Sequence, residues 1–288
     1  MFRLRKCIEV NIGMYQHLIE TYPDDKDNVN WRKGLAIVKI NMSADVEVEN
    51  DALAMIADFN DDPKLGRAIF HIGEEYFFIA ENYYKDRQMA EAGPLYQKAL
   101  NIWEMVIDRQ DLKPFRSGQL YAFSAESYYR LGEYIKAINY FQKVINDWPG
   151  YRYGDLVQYM IGVCYEELRD SPDVAMSVDE ADLRIEAAYL AVVENWPASS
   201  LVTGASMKLG QFYFGKELWA ETIVYFEIFR QRRPDHYGVL YPLGQAYENI
   251  GDNELAIAIY EEYLAKAKEG DRRIERVQGR LDELKGDQ

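Results

Sequence analysis

Apolar residues recur at spacings of three and four along most of the chain, which predicts amphipathic helices. The clearest segment is 120–149, where an apolar helix is followed by a turn at Gly132. A second helix follows, with Ala137, Phe141 and Val144 on one face. Few runs alternate strictly between apolar and polar residues, so strands have little support. The pattern therefore predicts an all-α protein built from helical pairs.

The helical pairs repeat along the chain. Six similar segments close successive helices, and a proline follows four of them. Their last residues are Tyr22, Phe59, Gln110, Trp148, Trp196 and Arg233. Self-similarity at about 34–50 residues is typical of solenoids, in which each unit packs only on its neighbours. We therefore predict about six helical hairpins in place of one large core.

One unit carries the most complete motif. Its residues are Leu243, Gly244, Tyr247, Gly251, Ala256 and Tyr260. Their spacing, Leu-Gly-x2-Tyr, then Gly, then Ala-x3-Tyr, resembles the tetratricopeptide repeat, a two-helix unit of about 34 residues. Units around Gly73, Ala125, Gly162 and Gly210 match it in part. The resemblance implies a right-handed superhelical solenoid whose first helices line a concave face.

The resemblance also suggests where the units begin and end. The predicted divisions are an N-terminal helix (1–25), an array (26–268) and a C-terminal capping helix (269–288). The units in the array are 26–61, 62–111, 112–149, 150–197, 198–234 and 235–268. Segment 8–22 lacks a first-helix partner, so it either caps the array or marks a cut from a longer chain.

Two units are longer than the ideal repeat. The second has about fourteen extra residues between Tyr76 and Ala99, and the fourth about eleven between Tyr165 and Tyr189. In the fourth unit Ser177 and the glutamate three residues later form a predicted capping box, so its second helix is expected to begin near residue 178.

Small residues recur at one level of the first helices: Gly73, Ala125, Gly162, Gly210 and Gly244. A small side chain lets two helices approach closely, and large aromatic side chains fill the space beside it. We therefore expect most of the tyrosine, phenylalanine and tryptophan at motif positions to serve packing.

The acidic composition narrows the classes of partner. Net charge is −15, which disfavours non-specific binding to nucleic acid and to anionic lipid. No apolar run is long enough to span a membrane. Two cysteines, Cys7 in a basic opening and Cys164 in an apolar helix, do not indicate a disulfide framework.

The sequence is compatible with two locations, the cytoplasm and a bacterial periplasm or cell envelope. The Tyr-Pro and Trp-Pro endings resemble those of bacterial envelope proteins with these repeats, of the barrel-assembly lipoprotein and Tol–Pal coordinator types.

Sites for chemistry are sparse. Dinucleotide, phosphate-loop and nucleophile-elbow motifs do not occur. His71 with Glu74 and Glu75 is one thin candidate for a metal half-site. The fourth unit has an acidic insert without the spacing of a calcium loop, comprising Asp170, Asp173, Asp179, Glu180 and Asp182. We predict no catalytic residue, no cofactor and no metal.

The predicted binding surface is the concave face of the array. Positions three before, one after and four after each small residue share one helix face. The resulting candidates are Phe70, Glu74, Phe77, Glu126, Tyr129, Tyr159, Val163, Glu166, Met207, Gln211, Phe214, Tyr241, Gln245 and Glu248. This set contains no Lys or Arg. An aromatic and acidic trough suits a protein or peptide partner with apolar anchors and some positive charge.

The sequence thus predicts a non-catalytic protein–protein interaction scaffold. One alternative is a structural subunit of a larger assembly, at the bacterial envelope for example, with contacts along its edges. A second alternative is an enzyme or metal-binding protein that uses the acidic insert of the fourth unit.

Overall fold

The computed structural model describes residues 2–43, 46–107, 109, 117–171 and 176–286. Across these ranges the chain forms α-helices, one short 3-10 helix at Tyr237–Val239 and no strand, which confirms the all-α class. None of the helices in these ranges is long and apolar enough to cross a membrane. The α-helices are α1 Phe2–Thr21, α2 Asn28–Met42, α3 Glu49–Asp58, α4 Leu65–Lys85, α5 Met89–Glu104, α6 Gly118–Arg130, α7 Tyr134–Asp147, α8 Gly154–Arg169, α9 Val178–Asn195, α10 Leu201–Gly215, α11 Trp219–Arg232, α12 Leu240–Asn249, α13 Asn253–Lys266 and α14 Ile274–Gly286.

The chain forms two compact units, Met1–Arg152 and Tyr153–Gln288. In unit 1, α1 packs on α2, α2 on α4, and the hairpins α4–α5 and α6–α7 pack through α5 and α6. The short α3 touches α2, α4 and α5. In unit 2, the hairpins α8–α9, α10–α11 and α12–α13 stack in chain order, and α14 packs on α13. Each unit is therefore a stack of helical hairpins, as a helical solenoid requires. The exact boundaries of the repeats stay a prediction.

A small residue on the first helix of a hairpin lies against an aromatic ring on the second. A β-carbon added at Gly162 would lie 2.7 Å from Tyr189 Cε1, and one added at Gly210 or Gly244 would overlap the ring of Phe226 or Tyr260. The predicted close approach of the two helices is thus confirmed for these three hairpins. It fixes how each first helix is rotated against its partner.

The second hairpin differs from its prediction. Gly73 does meet Trp103, but Trp103 lies at the end of α5, and it packs on Gly73 as Trp148, just after α7, packs on Gly118. Left-handed backbone occurs at Arg87, at Gly132, at Glu217 and at Gly251, and each of these lies five residues before a buried small residue. Counted from Arg87 in the same way, the motif aromatic of the second hairpin is Tyr96 and not Trp103. The insertion of about fourteen residues is therefore wrong, because α4 is extended at its N-terminus instead.

The long fourth unit follows its prediction more closely. Ser177 is the N-cap of α9, and its hydroxyl accepts a hydrogen bond of 3.1 Å from the backbone N–H of Glu180. The predicted start of this helix is confirmed. Residues 172–175 of the acidic insert, Asp173 among them, lie outside the described residues.

Tyrosines tie three of the first helices, α6, α10 and α12, to the second helix before them. The Tyr213 hydroxyl donates to Glu186 Oε1 at 2.5 Å, and the Tyr247 hydroxyl donates to Glu227 Oε1 at 3.2 Å. Tyr128 makes the same type of bond to Glu104 in unit 1. The motif tyrosine therefore links successive hairpins, whereas the motif glycine joins the two helices of one hairpin.

Basic side chains near the ends of two second helices reach back to the preceding turn. Lys266 Nζ donates to the backbone oxygen of Pro234 at 2.6 Å, and Arg232 Nη2 donates to that of Pro197 at 2.6 Å. These carbonyl oxygens lie in turns, where no helix supplies a hydrogen-bond donor. The basic side chains supply that donor.

Candidate functional site

The face left open by this packing is formed by the first helices. We call it the first-helix face and define it for each unit by itself, as the exposed and half-buried side chains of α4 and α6 in unit 1 and those of α8, α10 and α12 in unit 2. The predicted partner-binding residues all lie on these five helices. In unit 2 each first helix is covered on one side by its own second helix, and α10 and α12 also pack on the second helix before them.

In unit 1 the aromatic part of this face is shifted by one residue from the prediction. Phe70 and Phe77 are each only 3% exposed and pack in a cluster with Trp103 and Phe123. Phe78 is 50% exposed, and its ring is 6.2 Å from that of Phe123. An exposed phenylalanine thus lies beside a cluster of three buried rings and the half-buried ring of Phe123.

The two predicted acidic residues of unit 1, Glu74 and Glu126, already have partners within the chain. His71 Nδ1 is 2.7 Å from Glu74 Oε2. Arg130 donates to Glu126 at 2.8 Å and to Glu81 at 3.0 Å. Burial raises the pKa of the Glu126 carboxyl, and the Arg130 charge opposes that rise. Tyr129 is half-buried on the same turn, with its ring 5.7 Å from that of Tyr134.

In unit 2 an open cleft lies between α8 and α10. Lys208 Nζ reaches across it to Glu166 Oε2 at 2.7 Å. The cleft has a volume of about 380 Å³, and it is lined by Glu166, Glu167, Arg169, Asp170, Ile185, Lys208, Gln211 and Phe212. Its walls are mainly polar and charged, and Phe212 supplies a half-buried ring.

The remaining predicted residues of α8 and α10 mix packing with exposure. The Tyr159 ring lies tilted against that of Tyr189 at 5.2 Å, and burial raises the pKa of Tyr159 while the Lys208 charge lowers it. Val163 is half-buried. Met207 and Phe214 pack against the core of unit 2, and Gln211 is exposed.

A second cleft of unit 2, of about 350 Å³, lies between α12 and the capping helix α14. The predicted residues Tyr241, Gln245 and Glu248 line it. Glu248 pairs with Arg280 of α14 and accepts a hydrogen bond of 3.1 Å from the Tyr260 hydroxyl. The cleft therefore presents amide, phenol and paired charges.

The predicted set contains no Lys or Arg, but basic side chains do reach this face, two from its own helices and Arg280 from α14. Lys208, Arg130 and Arg280 each hold one of its glutamates. Their β-carbons lie off the predicted stripe, but long side chains reach a carboxylate one turn or one helix away. Spacing of four residues could have indicated the Glu126–Arg130 pair. The two contacts between helices depend on tertiary packing.

The described residues give little chemistry. No group of three or more His, Cys, Asp or Glu side chains within the described ranges is arranged to hold a metal ion. Cys164 is buried, and burial raises the pKa of its thiol to about 12, which leaves it unreactive at neutral pH.

Comparison with known proteins adds the decisive observation. Models of the tetratricopeptide repeat match residues 124–151 and 237–265. The chain contains tetratricopeptide repeats. The matched segments hold most of α6 with α7 and most of α12 with α13, the two hairpins whose turns carry Gly132 and Gly251.

Several solved structures are similar to this tetratricopeptide repeat chain. YrrB, described as a TPR protein with an unusual peptide-binding site, is 16% identical, has a TM-score of 0.48 and covers 80% of this chain and 98% of its own. MamA AMB-1 is 16% identical with a TM-score of 0.48, covering 71% and 97%. BtubC from P. vanneervenii is 16% identical with a TM-score of 0.48, covering 87% and 92%. No curated protein matches the sequence.

The tetratricopeptide repeats support a role as a protein–protein interaction scaffold, and proteins of this family are typically non-catalytic. The repeats thus support a protein or a peptide as the partner of this chain.

Proposed function

We propose that the chain is a non-catalytic scaffold that binds a peptide or protein segment on its first-helix face. The observation that carries the proposal is Phe78, a large aromatic side chain that is half exposed beside Phe123. Full burial of a phenylalanine side chain is worth about 1.5–3 kcal/mol, so covering the exposed half of this ring yields about 1 kcal/mol of binding free energy. The rings of Phe77 and Phe123 lie 5.9 and 6.2 Å from it and restrict its rotamers, which reduces the entropy lost on binding.

The proposed partner carries apolar anchors and some positive charge. Phe78 and the half-buried Phe212 offer contacts to apolar side chains. Glu126, Glu166 and Glu248 are paired within the chain, so they do not supply the attraction. The net charge of −15 supplies it instead, as a long-range field that favours cationic segments.

Replacement of Phe78 by Asp tests the proposal. The expected result is loss of a stoichiometric partner that co-purifies with the wild-type chain from native extract, because the apolar contact is removed. Ile135→Asp is the matched control, since Ile135 is 53% exposed on the second helix α7. Both variants are checked by circular dichroism for intact helices. Equal recovery of the partner by both variants would contradict the proposal.

A further inference from the structure

The second helices of unit 2 share an exposed face on the side opposite their buried rings. In α9, α11 and α13 the buried aromatics are Tyr189, Phe226 and Tyr260. Residues two before and five or six before each aromatic are exposed. Six of these are apolar, and we call them the outer apolar strip: Leu183, Ala187, Ala220, Val224, Leu255 and Ala258.

The three helices that carry the strip are neighbours. Arg230 of α11 pairs with Glu262 of α13. Arg232 at the end of α11 donates to the backbone oxygens of Pro197 and Ser199, just beyond the end of α9. These contacts hold the C-terminal ends of the three helices near one another in unit 2, and the strip residues lie in the N-terminal and central parts of the same helices. Its largest members are well exposed, with Leu183 at 66%, Val224 at 53% and Leu255 at 45%.

The border of the strip is acidic. Asp179, Glu221 and Glu254 lie in the first turns of α9, α11 and α13, and none of the three has an ion pair among the described residues. Arg184 is the one basic residue in the N-terminal halves of these helices, and it pairs with Glu180. Acidic side chains in a first turn interact favourably with the helix dipole. Here they also leave one edge of an apolar surface negatively charged.

We infer that the outer apolar strip is a second docking surface, for an amphipathic helix of another protein with an aliphatic face bordered by Lys or Arg. Aliphatic side chains would cover Leu183, Val224 and Leu255, and the basic border would meet the free carboxylates. A second copy of the chain fits poorly, because a two-fold contact would bring acidic edges together. Anionic lipid is repelled by the same charge. This surface is independent of the first-helix face.

A synthetic fluorescent helix of Leu and Lys, with its Leu at three- and four-residue spacing, is the probe. We expect the wild-type chain to bind it more tightly than a scrambled peptide of the same composition, measured by fluorescence anisotropy. Val224→Glu is expected to lower the affinity about tenfold, because an apolar contact is lost. The added negative charge would by itself attract a basic probe, so a loss cannot be electrostatic.

Two further variants sharpen the result. Gln16→Glu adds the same charge on the exposed side of α1 and should leave binding unchanged or slightly stronger. Glu221→Gln should lower the affinity about two- to fivefold and reduce its salt dependence. Leu183→Glu, at a site 66% exposed, repeats the test should Val224→Glu unfold the chain.

The inference is overturned if Val224→Glu and Leu183→Glu bind the probe as tightly as Gln16→Glu does, or if the scrambled peptide binds equally well. It is also overturned if sedimentation shows that the wild-type chain self-associates and Val224→Glu is monomeric, because the strip would then be a contact between copies. Phe78→Asp should retain probe binding, which separates this surface from the first-helix face.

Discussion

At the scale of single residues, the glycines inside the first helices are selected for size. Gly162, Gly210 and Gly244 have ordinary helical backbone, so conformational freedom does not explain them. A methyl group at each would overlap the ring across the hairpin. Helix propensity favours alanine by about 1 kcal/mol, and packing overrides it.

This argument predicts opposite effects for two glycines of unit 2. Gly244→Ala is expected to lower the free energy of unfolding by about 1–3 kcal/mol, because the Tyr260 ring must move. Gly279→Ala on α14 should raise it by up to about 1 kcal/mol, since nothing lies within 4 Å of the added carbon. Urea unfolding followed by circular dichroism measures both. Equal effects would mean that the Tyr260 ring yields without strain.

The same residues show what the sequence could and could not provide. Glycine and aromatic spacing predicted the close contacts of three hairpins correctly. In the second hairpin two aromatics, Tyr96 and Trp103, compete for one position, and the spacing rule chose the wrong one. Adjacent Phe77 and Phe78 pose the same problem on the surface. A period of 3.6 residues cannot decide which of two neighbours is buried when the rotation of the helix is unknown.

At the scale of helices and hairpins, hydrogen bonds from tyrosine to glutamate join successive repeats. Tyr213 of α10 reaches Glu186 of α9, and Tyr247 of α12 reaches Glu227 of α11. Burial, then the bonded glutamate, raises the pKa of Tyr247 to about 12. The sequence marked these tyrosines as repeat positions, but their acceptors lie on other helices, 27 residues before Tyr213 and 20 residues before Tyr247. Only the fold brings them together.

Removal of one such bond should weaken unit 2. Tyr213→Phe is expected to lower the free energy of unfolding by about 1.5–3 kcal/mol, because the Glu186 carboxylate loses a donor. Tyr225→Phe serves as the control, since Tyr225 stacks on Tyr213 at 5.5 Å and its hydroxyl makes no hydrogen bond to a described residue. Urea midpoints compare the two. Matching losses would show that the tie contributes no more than ring packing does.

At the scale of the whole molecule, the many buried phenols dictate a response to alkaline pH. Burial raises the pKa of Tyr76, Tyr96, Tyr189 and Tyr260 above the ordinary value of 10.0, and neighbouring carboxylates raise it further. These side chains stay neutral in the folded chain, whereas in the unfolded chain they ionise near pH 10. Below that pH both states hold the proton, so the contribution to stability is constant.

Above pH 10 the unfolded chain binds fewer protons, so the free energy of unfolding falls as pH rises. The expected slope is about 1.4 kcal/mol per pH unit for each buried tyrosine. Urea titrations at pH 8, 10 and 11, with tyrosinate absorbance recorded in parallel, test this. The tyrosinate absorbance of the buried side chains should appear together with the loss of helical circular dichroism. Full ionisation near pH 10 with the helices intact would contradict the expectation.

Lys266 and Arg232 each hydrogen-bond to the turn before their own hairpin, and these bonds have a consequence for degradation. A protease that cuts the chain just after Pro197 or Pro234 converts the amide carbonyl into a carboxylate on a mobile chain end. The basic side chain one repeat downstream then loses a hydrogen-bond acceptor that the intact turn held in position. Damage at one turn would then loosen the following hairpin and expose the next cleavage point. Digestion of unit 2 would accordingly proceed as a directional cascade, and few stable fragments would accumulate.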